Sequence, residues 1–240
     1  MEIILWLALV AKMNDTQLTV AQRNDACFAL RGTAAREVVT AMRTALADPK
    51  VRTCAGTNLR KAGAVEELKA ALSSDDFEIR ALAARELGGF EKPELLPLLA
   101  SAARDPQLIV GVNAIEGLAN YRDVAVVPYL LEIAKGGGLI GAAAVDRALS
   151  FRDPRLPGLA RVLLAGNDIS DKLAAMRVLS EMGDTNDIPA LQEIARKETE
   201  MVSAGRGFGL MPSISLSRAA KTTIERIESR YPPKNKDADQ

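Results

Sequence analysis

The sequence contains no histidine, and this absence limits the chemistry that the chain can carry out. Its 240 residues include two cysteines and no imidazole side chain. Serine–histidine–aspartate and cysteine–histidine nucleophilic centres therefore cannot form, and neither can a metal site with histidine ligands. We predict no catalytic residue, no metal site and no cofactor, and we expect the protein not to be an enzyme.

The two cysteines are the remaining residues with a reactive side chain to consider. Cys27 and Cys54 are either buried free thiols or partners in a disulfide. A buried free thiol behaves as a small apolar side chain in any compartment. A disulfide is expected only if the protein is exported to an oxidising compartment. The sequence leaves both alternatives open.

One glycine-rich segment precedes a predicted helix. Free amides at the helix N-terminus after Gly136–Gly138 could in principle hold an anion. No lysine–serine pair follows the glycines, however, so the segment is not a Walker loop.

A second glycine-rich segment lies in the longest break between predicted helices. Residues 198–213 form this break, and they include Arg206 and Phe208 between glycines. A long insertion in a compact array is often a binding loop. We therefore predict a loop insertion with Arg206 and Phe208 as candidate binding residues; the alternative is a loop without a ligand.

A leucine recurs about every 30 residues along most of the chain, with a small residue four positions before it. The pairs are Ala26/Leu30, Ala55/Leu59, Ala83/Leu87, Ala114/Leu118, Val145/Leu149 and Ala175/Leu179. A unit of this length cannot bury its apolar face alone, so stacked copies are expected to form a solenoid with a concave surface.

The pattern within each unit is that of helices. Val51 and Ala55 lie eight and four positions before Leu59, on one helix face, and other units repeat this spacing. A second apolar stretch follows each break, and Asp-Pro pairs or helix-capping residues occupy the breaks. We predict an all-α fold, an α-solenoid of about seven antiparallel helix pairs, as a single repeat domain over residues 1–230.

Residues 75–106, DDFEIRALAARELGGFEKPELLPLLASAARDP, resemble HEAT-type repeats, in particular the short bacterial kind named after phycobilisome lyases. The shared features are the aspartate-containing turn, the Ile79–Arg80 pair, the alanine step and the terminal Leu87–Gly88. The resemblance extends over residues 16–230. It implies a superhelix with the leucine-bearing helices on the concave side, and a scaffold or adaptor role, because HEAT arrays mostly serve as scaffolds.

The positions two and six residues before the leucines are expected to point away from the core, and the residues nine positions before Leu118 and Leu149 flank them. They combine arginines with aliphatic residues, a composition that suits protein recognition. The candidate partner-binding residues are Arg85, Ile109, Val112, Glu116, Ile140, Arg147, Leu173 and Arg177. The alternative is that the aliphatic residues belong to the core shared by neighbouring repeats and that the arginines form a solvated face.

We therefore expect a non-catalytic scaffold that binds a protein or peptide on its concave face. The alternative is a bilin-lyase-like enzyme or small-molecule chaperone built on the same repeats. HEAT-type deoxyhypusine hydroxylases need histidine ligands, which this chain lacks. HEAT-like alkylpurine DNA glycosylases need a basic face, whereas 31 basic and 31 acidic residues cancel here, so we predict no nucleic-acid partner.

The two ends of the sequence differ from the repeats. Residues 1–15 include the apolar run IILWLALVA, which is too short to span a bilayer and is either a capping helix or a remnant export signal. Localisation is accordingly open between cytoplasmic and exported to the periplasm. We expect no integral membrane span, a monomer, and a disordered tail at residues 231–240.

Overall fold

A computed structural model describes residues 2–197 and 215–232, and this part of the chain contains fourteen α-helices and no strand. In chain order they are α1 (Glu2–Asn14), α2 (Val20–Ala29), α3 (Arg36–Ala45), α4 (Arg52–Lys61), α5 (Val65–Ala71), α6 (Phe77–Gly88), α7 (Leu96–Ala102), α8 (Leu108–Ala119), α9 (Val127–Ala134), α10 (Gly138–Leu149), α11 (Leu156–Ala165), α12 (Ile169–Met182), α13 (Ile188–Lys197) and α14 (Leu216–Arg230). Single turns of 3₁₀-helix at Pro93–Leu95, Val124–Val126 and Thr185–Asp187 precede α7, α9 and α13.

The helices pack in consecutive pairs. Each odd-numbered helix packs against the even-numbered helix that follows it, so the described part contains seven pairs. Short connections between packed helices make the two members of a pair antiparallel. The prediction of an all-α fold built from repeated helix pairs is confirmed. We call the odd-numbered helices the first helices. The even-numbered helices α2 to α12 are the leucine helices, because a recurring leucine lies at or next to the end of each.

The chain divides into two compact units, Met1–Val126 and Val127–Gln240. The first unit contains α1 to α8, and the second contains α9 to α14. Within the first unit the even-numbered helices α2, α4, α6 and α8 pack successively on one another, and within the second α10, α12 and α14 do so. Each unit is therefore a stack of helix pairs, the local arrangement of an α-solenoid. The single domain over residues 1–230 stays a prediction.

The recurring leucines and the small residues before them form the core of each unit. The leucines are at most 8% exposed: Leu30, Leu59, Leu87, Leu118, Leu149 and Leu179. The residues four positions before them are also buried, with exposures between 0% and 5%. This periodicity is confirmed, although the half-buried Ile79, eight positions before Leu87, lies nearer the surface than the pattern predicts.

Leucine helices α6 and α8 approach each other until their backbones touch. A Cβ atom added to Gly88 would lie 2.1 Å from the Cα atom of Gly117, closer than any real contact allows. A Cβ atom on Gly56 of α4 would likewise lie 2.7 Å from the side chain of Leu82 on α6. The approach of α6 to α8 therefore requires glycine at the crossing point, whereas the Leu82 side chain could shift to make room at Gly56.

Buried arginines fasten the two helices of a pair together in the first unit. Arg23 and Arg52 lie seven positions before a recurring leucine and are 5% and 7% exposed. Arg23 Nε donates to the carbonyl of Met13 in α1 at 2.7 Å, and Arg52 Nε donates to the carbonyl of Leu46 after α3 at 2.7 Å. Each bond satisfies a carbonyl group near the end of a first helix, where the helix itself offers no donor.

The same arginine position also connects each pair to the next. We call the resulting ion pairs the arginine ladder: Arg23–Asp48, Arg52–Asp76 and Arg80–Asp105. In the third pair the guanidinium binds both carboxylate oxygens, with Nε–Oδ2 and Nη2–Oδ1 distances of 2.8 and 3.1 Å. The position seven residues before Leu118 is Gly111, so the ladder ends after three pairs.

Helix α1 contains the apolar run predicted at the N-terminus. Ile4, Leu5 and Leu7 are 74%, 59% and 51% exposed, whereas Met13 is fully buried. None of the helices in the described ranges is long and apolar enough to cross a membrane. The capping helix and the remnant export signal both stay predictions for residues 1–15. The predicted 198–213 loop lies outside the described residues, as does the predicted tail from residue 233 onward.

The first prediction tests the tight packing of the leucine helices. Ala83→Leu and Ala114→Leu each add three carbon atoms at positions that are at most 1% exposed. We expect each to lower the free energy of unfolding by about 1 to 3 kcal/mol, because overpacking forces side chains and backbone apart. Ala70→Leu on the exposed side of α5 is the control and should have little effect. Urea denaturation that shows the buried variants to be as stable as the parent contradicts this packing.

The second prediction tests the arginine ladder through its pH dependence. The Arg80 guanidinium holds the pKa of the Asp105 carboxyl below its ordinary value. The unfolded chain therefore takes up this proton first as the pH falls, so the pair stabilises the fold above about pH 4 and loses its effect below that. Asp105→Asn should lower stability at pH 7 by about 2 kcal/mol, and its difference from the parent should shrink below about pH 4.

Asp123→Asn is the matched control for Asp105→Asn. Asp123 and Asp105 each accept a backbone hydrogen bond from the residue two positions later at 2.8 Å, but only Asp105 also binds an arginine. If the two substitutions lower the free energy of unfolding equally, the loss at Asp105 comes from the backbone hydrogen bond of its turn. That result would contradict a role for the ion pair in stability.

Candidate functional site

The candidate residues of the first unit lie on α6 and α8. Ile109 and Val112 on α8 are exposed aliphatic residues, with 47% and 37% of their surface accessible. They are three positions apart and therefore share one helix face. Glu116, one turn further along α8, and Arg85 on α6 are also exposed.

Arg85 takes part in a charged cluster on the leucine helices α4 and α6. The cluster centres on Glu86, which is only 5% exposed. Its carboxylate accepts from Arg60 Nε at 2.8 Å, from Arg85 Nη2 at 3.2 Å and from the Thr57 hydroxyl at 3.3 Å. Removing one partner of a buried carboxylate is costly, so this cluster helps to hold α4 against α6. The half-exposed Arg85 side chain also reaches the surface.

The arginine candidates of the second unit are held by contacts inside that unit. Arg177 Nε and Nη2 bind the two carboxylate oxygens of Asp146 at 2.6 and 2.8 Å, which joins α12 to α10. The Arg147 guanidinium lies over the ring of Phe151, 5.5 Å from its centroid. These contacts fix the orientation of the arginines before any partner arrives. Ile140 and Leu173 are half-buried.

Leu173 and Arg177 line an open cleft between α12 and α14 with a volume of about 380 Å³. The described residues that line it are Leu173, Met176, Arg177, Ser180, Ser215, Arg218, Ala219, Thr222, Thr223 and Arg226. The Thr223 hydroxyl donates to the Met176 carbonyl across the helix pair at 3.4 Å, so the two helices meet at the base of the cleft. The structure thus brings two predicted residues together with four polar residues of α14 that were not predicted from the sequence, namely Arg218, Thr222, Thr223 and Arg226.

The repeat pattern did not reveal the α14 residues because the regular leucine spacing ends at Leu179, well before this helix. A different signal is present in the sequence. Arg218, Thr222 and Arg226 recur at intervals of four residues and therefore lie on one face of α14. A search for helical periodicity in polar residues, rather than in leucines, would have found them.

Other clefts open on the side of the first helices. One between α9 and α11 has a volume of about 630 Å³ and is lined by Leu159 and Val162, the latter 70% exposed. Another, of about 650 Å³, lies between α11 and α13, where Arg161 Nε binds Asp187 at 2.7 Å. Both clefts contain acidic as well as basic residues, so their charges are largely balanced within the unit.

The glycine segment 136–138 is occupied by the protein's own carboxylate. The backbone amide of Gly138 hydrogen bonds to Asp171 on α12, and Asp171 Oδ2 lies 2.6 Å from the position that a Cβ atom on Gly137 would take. Burial and the neighbouring Asp168 raise the pKa of the Asp171 carboxyl. A phosphate group would have to compete with this carboxylate for the same amide.

Two further predictions concern metal binding and the 198–213 loop. The described ranges contain no group of three or more acidic or cysteine side chains arranged to hold a metal ion. Arg206 and Phe208, the candidates of the 198–213 loop, lie outside the described residues, so their role stays a prediction.

Cys27 and Cys54 are joined by a disulfide between the leucine helices α2 and α4. Both residues are buried, at 0% and 3% exposure. Asn58 donates from Nδ2 to the Cys27 carbonyl at 2.7 Å and lies against the sulfur of Met42 at 3.7 Å. The disulfide therefore lies in the core of the first unit and links the first two helix pairs covalently.

Comparison with known proteins relates the central helix pairs to one family. Residues 65–146, from α5 into α10, match the family model described as HEAT repeats. No curated protein matches the sequence. One solved structure, described as the crystal structure of an engineered protein, aligns with 93% of this chain and 96% of that chain at 18% identity and a TM-score of 0.33. The family match supports a HEAT-like repeat protein.

The third prediction concerns the disulfide. Reduction should lower the free energy of unfolding by about 2 to 4 kcal/mol, because the bond restricts the unfolded chain. A variant carrying Cys27→Ala and Cys54→Ala is the control and should not respond to the reductant. Mass analysis of alkylated, non-reduced protein from its natural source should show the two residues linked. Two alkylatable thiols in such material would contradict the bond.

Proposed function

We propose that the protein is a non-catalytic scaffold that binds a protein or peptide partner on the face formed by its leucine helices, the concave face of a HEAT superhelix. The observation that carries this proposal is the exposure of Ile109 and Val112 on α8. Exposed aliphatic side chains beside charged residues are typical of the apolar centre and polar rim of a protein interface.

The second unit carries comparable residues on its own leucine helices. Leu173 and Arg177 line the cleft between α12 and α14, and the ion pair with Asp146 holds Arg177 in place. A preorganised guanidinium loses little side-chain freedom on binding and fixes the orientation of a partner. The short bacterial repeats named after phycobilisome lyases remain our proposed subclass, on the resemblance of residues 75–106.

The fourth prediction tests this face by substitution. Val112→Asp and Leu173→Asp should abolish capture of the partner from extracts of the source organism, because a carboxylate in an apolar interface loses its hydration. Arg147→Ala should weaken capture more modestly. Circular dichroism should show unchanged helix content in all three variants.

Val124→Asp and Val162→Asp are the matched controls for the two units. Both valines are 70% exposed and lie outside the leucine helices. If these two variants lose capture while Val112→Asp and Leu173→Asp capture the partner fully, the binding site lies on the first helices and the turns that precede them. Unfolding of the Val112→Asp and Leu173→Asp proteins would assign those residues to the core. A coloured small molecule that co-purifies with the protein would favour the bilin-lyase-like alternative.

A further inference from the structure

The cleft between α12 and α14 differs from the other clefts in its charge. Arg177, Arg218 and Arg226 line it together with hydroxyl groups, and none of the described residues that line it is acidic. The whole chain has a net charge of zero. The overall charge of the protein therefore does not account for the excess of arginines in this cleft.

Two of the three guanidinium groups have no carboxylate partner in the described ranges. The Arg218 side chain makes no hydrogen bond or ion pair there, and only its backbone amide is engaged, by Ser215. Arg226 Nη1 donates to the Ser180 hydroxyl, a neutral acceptor, at 3.4 Å. Arg177, across the cleft, is the member that an internal carboxylate already neutralises. The uncompensated positive charge therefore lies on the α14 side.

The spacing of the α14 residues suits an elongated acidic ligand. Arg218, Thr222 and Arg226 extend over two turns of one helix face, about 12 Å along its axis. Planar guanidinium groups at the two ends match carboxylates that lie several residues apart in a peptide, and each can bind a carboxylate with two hydrogen bonds. A single small anion reaches only one of them.

The other surfaces of the cleft suit a polypeptide. The half-buried Leu173 and Ala219 supply apolar surface between the polar groups, and the cleft is open to solvent rather than enclosed. Apolar side chains of a peptide gain burial there, whereas an inorganic ion gains nothing from them.

We propose that this cleft binds an acidic peptide segment of the partner protein. Carboxylates of the segment pair with Arg218 and Arg226, and its aliphatic side chains pack on Leu173. This inference rests on the proposed function, because it names the chemistry of the partner that the leucine helices would capture.

Fluorescence anisotropy tests the proposal with two short labelled peptides of equal length. One combines aspartate and glutamate with leucine, and in the other asparagine and glutamine replace the acids. The full-length protein should bind the acidic peptide, with an affinity that falls as salt is added, and should bind the amide peptide at least about tenfold more weakly.

Substitutions assign the binding to the cleft. Arg218→Glu combined with Arg226→Glu should remove binding of the acidic peptide and create binding of a matching lysine–leucine peptide. Arg155→Glu, on an exposed arginine outside the cleft, is the control and should leave acidic-peptide binding unchanged. Equal binding of the acidic and amide peptides overturns the proposal, as does loss of binding in the control variant alone. Full displacement of the acidic peptide by an equal concentration of inorganic phosphate also overturns it, in favour of a small-anion site.

The two proposals can fail separately. If Leu173→Asp abolishes partner capture while the acidic peptide does not bind the parent protein, the scaffold function stands and the acidic-segment proposal is wrong. If the acidic peptide binds and responds to the charge reversal, while Leu173→Asp captures the partner fully, the cleft is a peptide site and the proposed partner-binding face is wrong.

Discussion

The structure depends on how closely successive leucine helices approach one another. At Gly88 and Gly117 the backbones of α6 and α8 touch, and the recurring residue four positions before each leucine is alanine or valine. Small residues let helices pack at short range, and the leucines fill the space around them. A larger side chain at these positions would separate one layer of the stack. Because successive pairs share this interface, the change would reach the neighbouring pairs.

The arginine ladder adds a polar connection to this apolar layer in the first unit. Each guanidinium extends from its own leucine helix to the turn of the following pair. Arg23 and Arg52 also bind a carbonyl near the end of a first helix, and Arg80 binds the Ser74 carbonyl in the turn after α5. The groups are partly or wholly buried, so their orientation is specified more strictly than that of a surface ion pair. The apolar contacts bring the helices together, and the ladder fixes their register. The remaining exposed residues of the leucine helices are then free to contact a partner.

The sequence predicted the elements of the fold better than the site. The spacing around Leu59 and Leu118 indicates helices and core positions, because burial in a repeat recurs with the repeat. The contact between Gly88 and Gly117 was not predicted, because the sequence does not indicate which helix a glycine will contact. Arg218 and Arg226 were missed for a different reason. They come after the last recurring leucine, Leu179, and their proximity to α12 depends on tertiary packing that the leucine spacing does not describe.

Native-state hydrogen exchange tests most directly the claim that the leucine helices form the tightly packed layer. Amides in the central turns of α6 and α8, around Ala83 and Ala114, should exchange only when the first unit unfolds as a whole. Amides of α5 and α7 should exchange sooner, through local opening of the less closely packed first helices. Equal protection of both sets of helices, or greater protection of α5 and α7, would contradict this account.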